Sequence, residues 1–474
     1  MTQNVISEKK AKSKLKLSMP NVFVILFAMM FMAMIATWVV PSGSYDRVEG
    51  PDGRMVVVPD SYTVSDSTPV GIFDVFIAVP QGLTEAAMIA WAILIIGGTW
   101  QVLHATGAIS AGIENMVTKL GKREVIIIPI MMLIFASIAA FIGAMELAIV
   151  YIPIMIAMCL ALRLDVLTAV GISLVSVGGA FAASLTNPFT VGLAQQIAGL
   201  PLYSGIGYRL IVLTVFLGVG ILYVLLYARR VKKDPRKSLV YEENLNFIKT
   251  YKESEVLEHR KEHKYIGALL IVAFALIVYG VLKLGWFMFE IGAVFLIVGI
   301  VSGLLSKMSL DTITDHFIEG AKSVLLAALV VGLARSIVII IENGGIIDTI
   351  VMALVAMIDG LPHAISVIGI FISQSIFNLI VPSGSGQVMI TMPILSSVAE
   401  MVGITKQSTI LATQLGDGIT NILFPVSGVL MASLVYAKVP YFTWVKFIMP
   451  LLIIWTVLGC IFLVIAQAIQ WGPF

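Results

Sequence analysis

The sequence predicts an all-α polytopic membrane protein with inverted repeats, each holding a re-entrant helical hairpin and a broken transmembrane helix. Three observations predict it. The composition is too apolar for a water-soluble surface, the apolar residues come in runs of one or two membrane widths, and the same order of interruptions occurs twice. Of 474 residues, 59% are hydrophobic and 12% are Asp, Glu, Lys or Arg, with a mean hydropathy of +1.01. A soluble domain carries about 25% charged residues, so the deficit excludes a soluble globule, a disordered chain, a collagen and a disulfide-rich secreted module. The runs are long, unlike the alternating segments of about ten residues in a barrel, which favours helices. Cys159 and Cys460 lie in apolar runs and read as small buried hydrophobes.

Residues 1–83 are expected to form an N-terminal basic tail, a first transmembrane helix and an external loop. The tail carries Lys9, Lys10, Lys12, Lys14 and Lys16, and the apolar run Pro20 to Val40 has span length with no Ala-x-Ala cleavage site after it. A retained helix is therefore expected here, with no processed end. The stretch 41–83, with its acids, Pro and Gly, reads as a loop with one short hairpin of strands. The first inverted repeat is expected over 84–228: a span at 84–106, a hairpin at about 124–162, a broken helix at about 165–200 and a span at 209–228. Residues 229–264 read as a cytoplasmic connector, and 265–306 as two scaffold helices. The second repeat is expected over 307–474, with a span at 321–341, a hairpin at about 364–399, a broken helix at about 407–437 and a last span at 445–469.

Each plain span has roughly the 20 apolar residues that a 30 Å hydrocarbon layer needs. The two hairpin stretches are too long for one crossing and lack a central polar loop that would allow two. Their middles read Gly143-Ala144-Met145-Glu146 and Pro382-Ser383-Gly384-Ser385-Gly386-Gln387, small and polar as a hairpin tip requires. The basic residues support this threading. With both hairpins re-entrant, 24 of the 30 Lys and Arg fall on the side of the N-terminus, 5 fall outside and Arg335 lies in a span. That asymmetry matches the positive-inside rule with a cytoplasmic N-terminus.

The halves repeat one another. Ile152-Pro153-Ile154-Met155 answers to Met392-Pro393-Ile394-Leu395, and Thr186-Asn187-Pro188-Phe189 answers to Thr420-Asn421 followed by Pro425. In the threading the first repeat starts outside and the second inside, so the repeats are inverted. Inverted repeats with broken helices mark secondary transporters, whose cargo binds near the midplane. Pro188 removes a donor, and Gly416-Asp417-Gly418 is expected to break the second helix by glycine flexibility. Each break frees backbone groups, tolerated at this depth only beside protein or a watery cavity.

Ionisable residues at membrane depth are costly and are functional hypotheses by default. Glu146 lies at the first tip and Asp417 in the expected second break. Each either meets the cargo or a proton directly, or pairs with Arg335 or caps nearby N–H groups. Arg335 reads as a structural partner for a hairpin or an acid rather than a cargo ligand. Glu85, Glu290 and His104 sit near span ends. Two anions among many free backbone donors fit a zwitterionic or cationic cargo that carries a carboxylate. Its ammonium would meet Glu146 or Asp417, and its carboxylate the donors of Ser383-Gly384-Ser385-Gly386 or of Ser184 to Asn187. Asn187, Asn378, Gln387 and Asn421 would orient it. The candidate site is therefore Gly143, Ala144, Met145, Glu146, Ser184, Thr186, Asn187, Asn378, Ser383, Gly384, Ser385, Gly386, Gln387, Asp417, Gly418, Thr420 and Asn421.

Thr37-Trp38-Val39-Val40-Pro41-Ser42-Gly43, Arg229-Arg230-Val231-Lys232-Lys233-Asp234-Pro235 and Ser427-Gly428-Val429-Leu430-Met431-Ala432, with both tips and both interrupted helices, resemble a known family. It is the YfcC-like branch of the C4-dicarboxylate anaerobic carrier family, in the ion transporter superfamily, a branch that includes arginine/ornithine antiporter-like proteins. The resemblance covers nearly the whole chain in order. It implies a bacterial inner-membrane location, a homodimer, two hairpins per protomer and elevator-type motion. One departure stands out: the Ser-Asn-Thr hairpin signature of the dicarboxylate/sodium branch is absent. That argues against a sodium site of that design, and an ionised Glu146 would repel a dianion.

The expected activity is therefore secondary transport of a small amino acid, basic in character, by exchange. The alternative is ion-coupled transport of a C4-dicarboxylate or another carboxylate. A coupling proton or sodium ion fits either, and no cofactor or nucleic acid is implied; the partners are the small organic cargo and the lipid bilayer. An intramembrane aspartyl protease would need a second deep aspartate. No His-Glu-x-x-His site or phosphate-binding loop occurs, so enzymatic or ATP-driven chemistry is not expected.

Overall fold

A computed structural model describes residues 22–49, 55–108, 111, 126–143, 145–241, 261–284, 286, 288–356, 363–401 and 403–472. The basic tail, much of 107–123, the connector from 242 to 260 and the tip residue Ala144 lie outside the described residues. Among the described residues the regular structure is helical apart from four short strands.

Helix α1 (Val22–Val39) is followed by β1 (Gly43–Ser44), β2 (Arg47–Glu49), β3 (Met55–Val57) and β4 (Thr63–Val64). The strands pair antiparallel in two nested ladders, β1 with β4 and β2 with β3, where one hairpin was expected. The end of the expected loop is helical: α2 (Ile72–Glu85) runs into α3 (Ala87–Ala105) through a bend at Ala86. The first hairpin is α4 (Ile127–Ile142) and α5 (Leu147–Ala161). At 1.5 Å per residue such arms reach about 24 Å, short of the 30 Å hydrocarbon layer. Helix α6 (Val166–Ala182), a π turn (Pro188–Gly192) and α7 (Leu193–Ile197) form the first broken helix, and α8 (Ile206–Lys233) leads to the connector.

The second half begins after α9 (Glu262–Leu284) with α10 (Met288–Leu305), α11 (Leu310–Ser323), α12 (Leu325–Asn343) and α13 (Ile347–Ala356). The second hairpin is α14 (His363–Phe377) and α15 (Gly384–Met401); α16 (Lys406–Thr420) and α17 (Gly428–Tyr436) form the second broken helix, and α18 (Tyr441–Ala468) ends the bundle. Helices α1, α3, α8, α10, α12 and α18 are each long and apolar enough to cross a bilayer.

Packing is mirrored between the halves. First arms α4 and α14 pack on α6 and α16, and second arms α5 and α15 reach across to α17 and α7. The broken helices cross at α6 and α16, and α8 and α18 flank them. The bent pairs α2–α3 and α11–α12 interlock, α2 on α12 and α11 on α3, with α1 on α12 and α10 on α3. This second set extends the mirrored packing to segments that sequence reading set apart as tail and scaffold.

Small residues permit the closest crossings, as membrane packing requires. A methyl group on Gly416 would lie 2.8 Å from Gln374 Cβ of α14, and one on Gly418 would collide with Ala182 of α6. This corrects the expected break. Gly416-Asp417-Gly418 does not interrupt α16, which runs to Thr420; the chain leaves the helix over residues 421–427, where Pro425 lacks a donor. Those glycines serve helix contact. The start of α6 is latched by buried Asp165, which accepts from Thr168 N at 2.9 Å and from the hydroxyls of Tyr227 and Ser238 at 2.7 and 2.5 Å. Arg209, counted with the outside basic residues, is instead fully buried under the Trp471 ring.

Candidate functional site

The first break is shaped by its own tip. Ala182 ends α6, Ser184 Oγ turns back to Phe181 O at 2.6 Å, and Asn187 Oδ1 accepts from Phe189 N at 2.9 Å. Leu185 N and the Thr186 hydroxyl donate to carbonyls of Ala140 and Phe141 in α4. Gly143 has φ +71°, and a methyl group there would collide with the Asn187 side chain. Only glycine meets both demands, a left-handed turn and contact with a neighbouring amide. Met145 is buried and reaches toward Gly178, itself pressed on Ile422 beyond the second break. Glu146 is part-buried, and its carboxylate bonds its own main chain.

The second break carries a denser network. Asn378, just past α14, donates to Asp417 O at 3.1 Å, Thr420 Oγ1 at 2.8 Å and Asn421 Oδ1 at 3.2 Å. Asn421 Nδ2 in turn donates to Asp417 Oδ1 at 2.7 Å. The tip Ser383 to Gln387 forms the first turn of α15 rather than a loose loop: Gln387 N bonds Ser383 O at 2.7 Å and Gly386 N bonds Ser383 Oγ at 3.3 Å. Ser385 sits in the same turn. Gly384 faces both repeats; a methyl group on it would lie 2.6 Å from Thr190 of the first break and 2.7 Å from Asp417 Oδ2. The structure brings Gly384, Asp417, Asn378, Thr420 and Asn421 together, while Gly418 packs on α6.

Several atoms of this network are buried and without a hydrogen-bond partner: Asp417 Oδ2, Asn378 Oδ1, Gln387 Oε1, Thr190 Oγ1 and Asn187 Nδ2. Three of the five can only accept. A buried unpaired polar atom costs about 1–3 kcal/mol, so each of these atoms is costly without a partner. Sequence reading missed Gln374, Thr391, Gln414 and Thr190. Gln374 receives Gln387 Nε2 at 2.8 Å and the Thr391 hydroxyl at 3.0 Å, and Gln414 donates to Phe181 O at 2.6 Å. Their signal was polar residues three or four apart on one helix face, Gln374 with Asn378, Gln387 with Thr391, and Gln414 with Asp417 and Asn421.

Arg335 pairs with neither deep acid. Its Nε meets Glu85 at 2.6 Å and its Nη2 meets Glu342 at 3.4 Å. These ions edge a cavity of about 530 Å³ lined by α12, the β1 turn, α13 and Val381, Ser383 and Gly386 of the second tip.

The sequence profile described as "C4-dicarboxylate anaerobic carrier" matches residues 19–468. The chain belongs to that family. The carrier is 31% identical to the Escherichia coli protein named "Putative basic amino acid antiporter YfcC", over 92% of this chain and 94% of that one. It is 28% identical to a Haemophilus influenzae protein whose name assigns no function, over 96% of this chain and 98% of that one. Among solved structures it is similar to the YdaH transporter of Alcanivorax borkumensis, at TM-score 0.43 and 15% identity over 96% of this chain and 100% of the other. It is also similar to Neisseria gonorrhoeae MtrF, described among antimetabolite efflux pumps, at TM-score 0.42 and 17% identity over 96% of each chain. The carrier is a multi-pass membrane transporter.

Proposed function

We propose that the carrier is a secondary transporter of a small basic amino acid, working by exchange. The observation that carries this reading is the set of buried acceptors around Asp417 in α16 and the neighbouring second hairpin. Asp417 Oδ2, Asn378 Oδ1 and Gln387 Oε1 are buried acceptors without donors. An ammonium or guanidinium supplies several N–H donors and a compensating charge, whereas a dicarboxylate supplies neither. The name carried by the Escherichia coli relative agrees with a basic cargo. The cargo's own carboxylate is met by the first turn of α15, with Ser383 and Ser385, where free N–H groups and the helix dipole favour an anion.

In this reading the hairpins and broken helices move as a unit against the bent helices α2–α3 and α11–α12, in an elevator-like exchange of access across a bacterial inner membrane with the N-terminus cytoplasmic. A homodimer steadies the bent-helix frame. A coupling proton or sodium ion, if used, would sit between Asp417 and Thr190. The competing cargo, a C4-dicarboxylate, is the one the family's description names.

Uptake of labelled arginine, ornithine and succinate into proteoliposomes, with and without internal counter-substrate, decides between them. Saturable arginine uptake stimulated by internal ornithine is expected. Saturable succinate uptake with no amino acid exchange would overturn the assignment.

A further inference from the structure

The 530 Å³ cavity beside the second hairpin is walled by charges that lie apart from the hydrogen bonds around Asp417. Two ion pairs border it, and they differ in how fully they are satisfied. Arg47 grips Asp348 through both carboxylate oxygens at 2.9 and 3.0 Å, and Asp348 also accepts from Tyr45 N at 2.9 Å. That pair is consumed in holding the strand turn to α13. Arg335 and Glu342 lie two turns apart on α12 and are 33% and 42% exposed. Their 3.4 Å contact is longer than a good charge-assisted bond of about 2.7–2.9 Å. A guanidinium offers five N–H donors, and Arg335 uses only Nε firmly, toward Glu85 at 2.6 Å. Unused donors of Arg335 and one unused oxygen of Glu342 therefore stand side by side at the cavity wall.

We propose that this cavity is an outer binding site for a zwitterionic amino acid, with the carboxylate on Arg335 and the ammonium on Glu342. The assignment rests on the amino acid transport reading and adds to it a second, separate place of recognition. The volume falls within the roughly 300–1,000 Å³ of small-molecule sites. Two opposite charges on one wall match an α-amino acid's two charges, and a dicarboxylate would be repelled by Glu342. The floor is the second hairpin's tip: Ser383 and Gly386 line the cavity, while Gly384 between them contacts Asp417. The tip thus stands between the cavity and Asp417, and a ligand held in the cavity is one hairpin displacement from that carboxylate.

The test uses the full-length purified carrier with Cys159 and Cys460 replaced and a single reporter, Ser44→Cys, on the exposed cavity rim. Modification by a membrane-impermeant maleimide is followed with increasing arginine, ornithine or succinate. Protection by the amino acids and not by succinate is expected. It should persist in Asp417→Asn, with half-protection within about twofold, and shift at least tenfold in Glu342→Gln or Arg335→Gln. Glu342→Gln keeps the Arg335–Glu85 pair and so guards against a mere folding defect. Protection unchanged by both cavity variants, or lost in Asp417→Asn, would overturn the outer site. So would absence of protection in a protein that still exchanges arginine in proteoliposomes, a result that leaves the transport reading standing. Absence of amino acid transport with protection intact would instead sink the transport reading.

Discussion

The two broken helices hold equivalent places and are equally buried, yet their chemistry is opposite. Every residue of α6 from Val166 to Ala182 is buried, and nearly all are apolar or small. In α16 everything from Gln407 to Thr420 is buried too, but it includes Gln407, Ser408, Thr409, Thr413, Gln414, Asp417 and Thr420. After α6 Asn187 caps the π turn and the first tip nests on it through Gly143, while Asn187 Nδ2 and Thr190 Oγ1 are left without a partner. After α16 the amides of Asn378 and Asn421 are bonded around Asp417, and one of its oxygens is left over. The first break is packed largely by apolar and small residues, and the second gathers amides around the carboxylate of Asp417.

The most damaging substitution should fall in the second half. Asp417→Asn keeps the shape and the bond from Asn378 to its main chain but removes the charge; exchange should fall at least 100-fold in proteoliposomes with thermal stability little changed. Near-normal exchange would erase the contrast between the breaks. In the first half the damage should be steric. Gly143→Ala adds about 1–3 kcal/mol of backbone strain and a collision with Asn187, so both the unfolding temperature and exchange should drop, exchange by roughly tenfold. An unaffected variant would show that the first tip does not seat on its break.

Asp165→Ala tests support remote from the pocket. Losing a helix cap and two buried hydroxyl partners should cost about 2–3 kcal/mol, read as a lower unfolding temperature with KM unchanged. A changed KM would mean that the latch reaches the pocket. The smallest effect is expected for Glu146→Gln. Glu146 takes no part in the hydrogen bonds around Asp417, so KM for a cationic cargo should rise only about threefold. No change would remove Glu146 from the site, and a loss as large as that of Asp417→Asn would make the two halves chemical equals.

Much of this arrangement could be read before any coordinates. Both hairpins lie where apolar runs of double length have small or polar middles, because a bilayer has one thickness and a chain must turn where its apolar length runs out. Other features were hidden. Helix α2 looked like the end of a loop, since Asp74, Pro80 and Gly82 resemble a solvated segment until α2 is seen packed on α12. Gly416 and Gly418 looked like a helix break, since the same missing Cβ permits both a bend and a close approach.

Composition and run length alone established a helical membrane protein, because hydrocarbon penalises every unpaired charge and every open backbone bond. Which of those residues meet was settled only by packing. Thr190 and Asp417 are more than two hundred residues apart in the chain, yet both touch Gly384. Arg335 found Glu85 and Glu342 instead of the deep acids. Burial and pairing at such distances depend on how helices cross, and no local pattern encodes that.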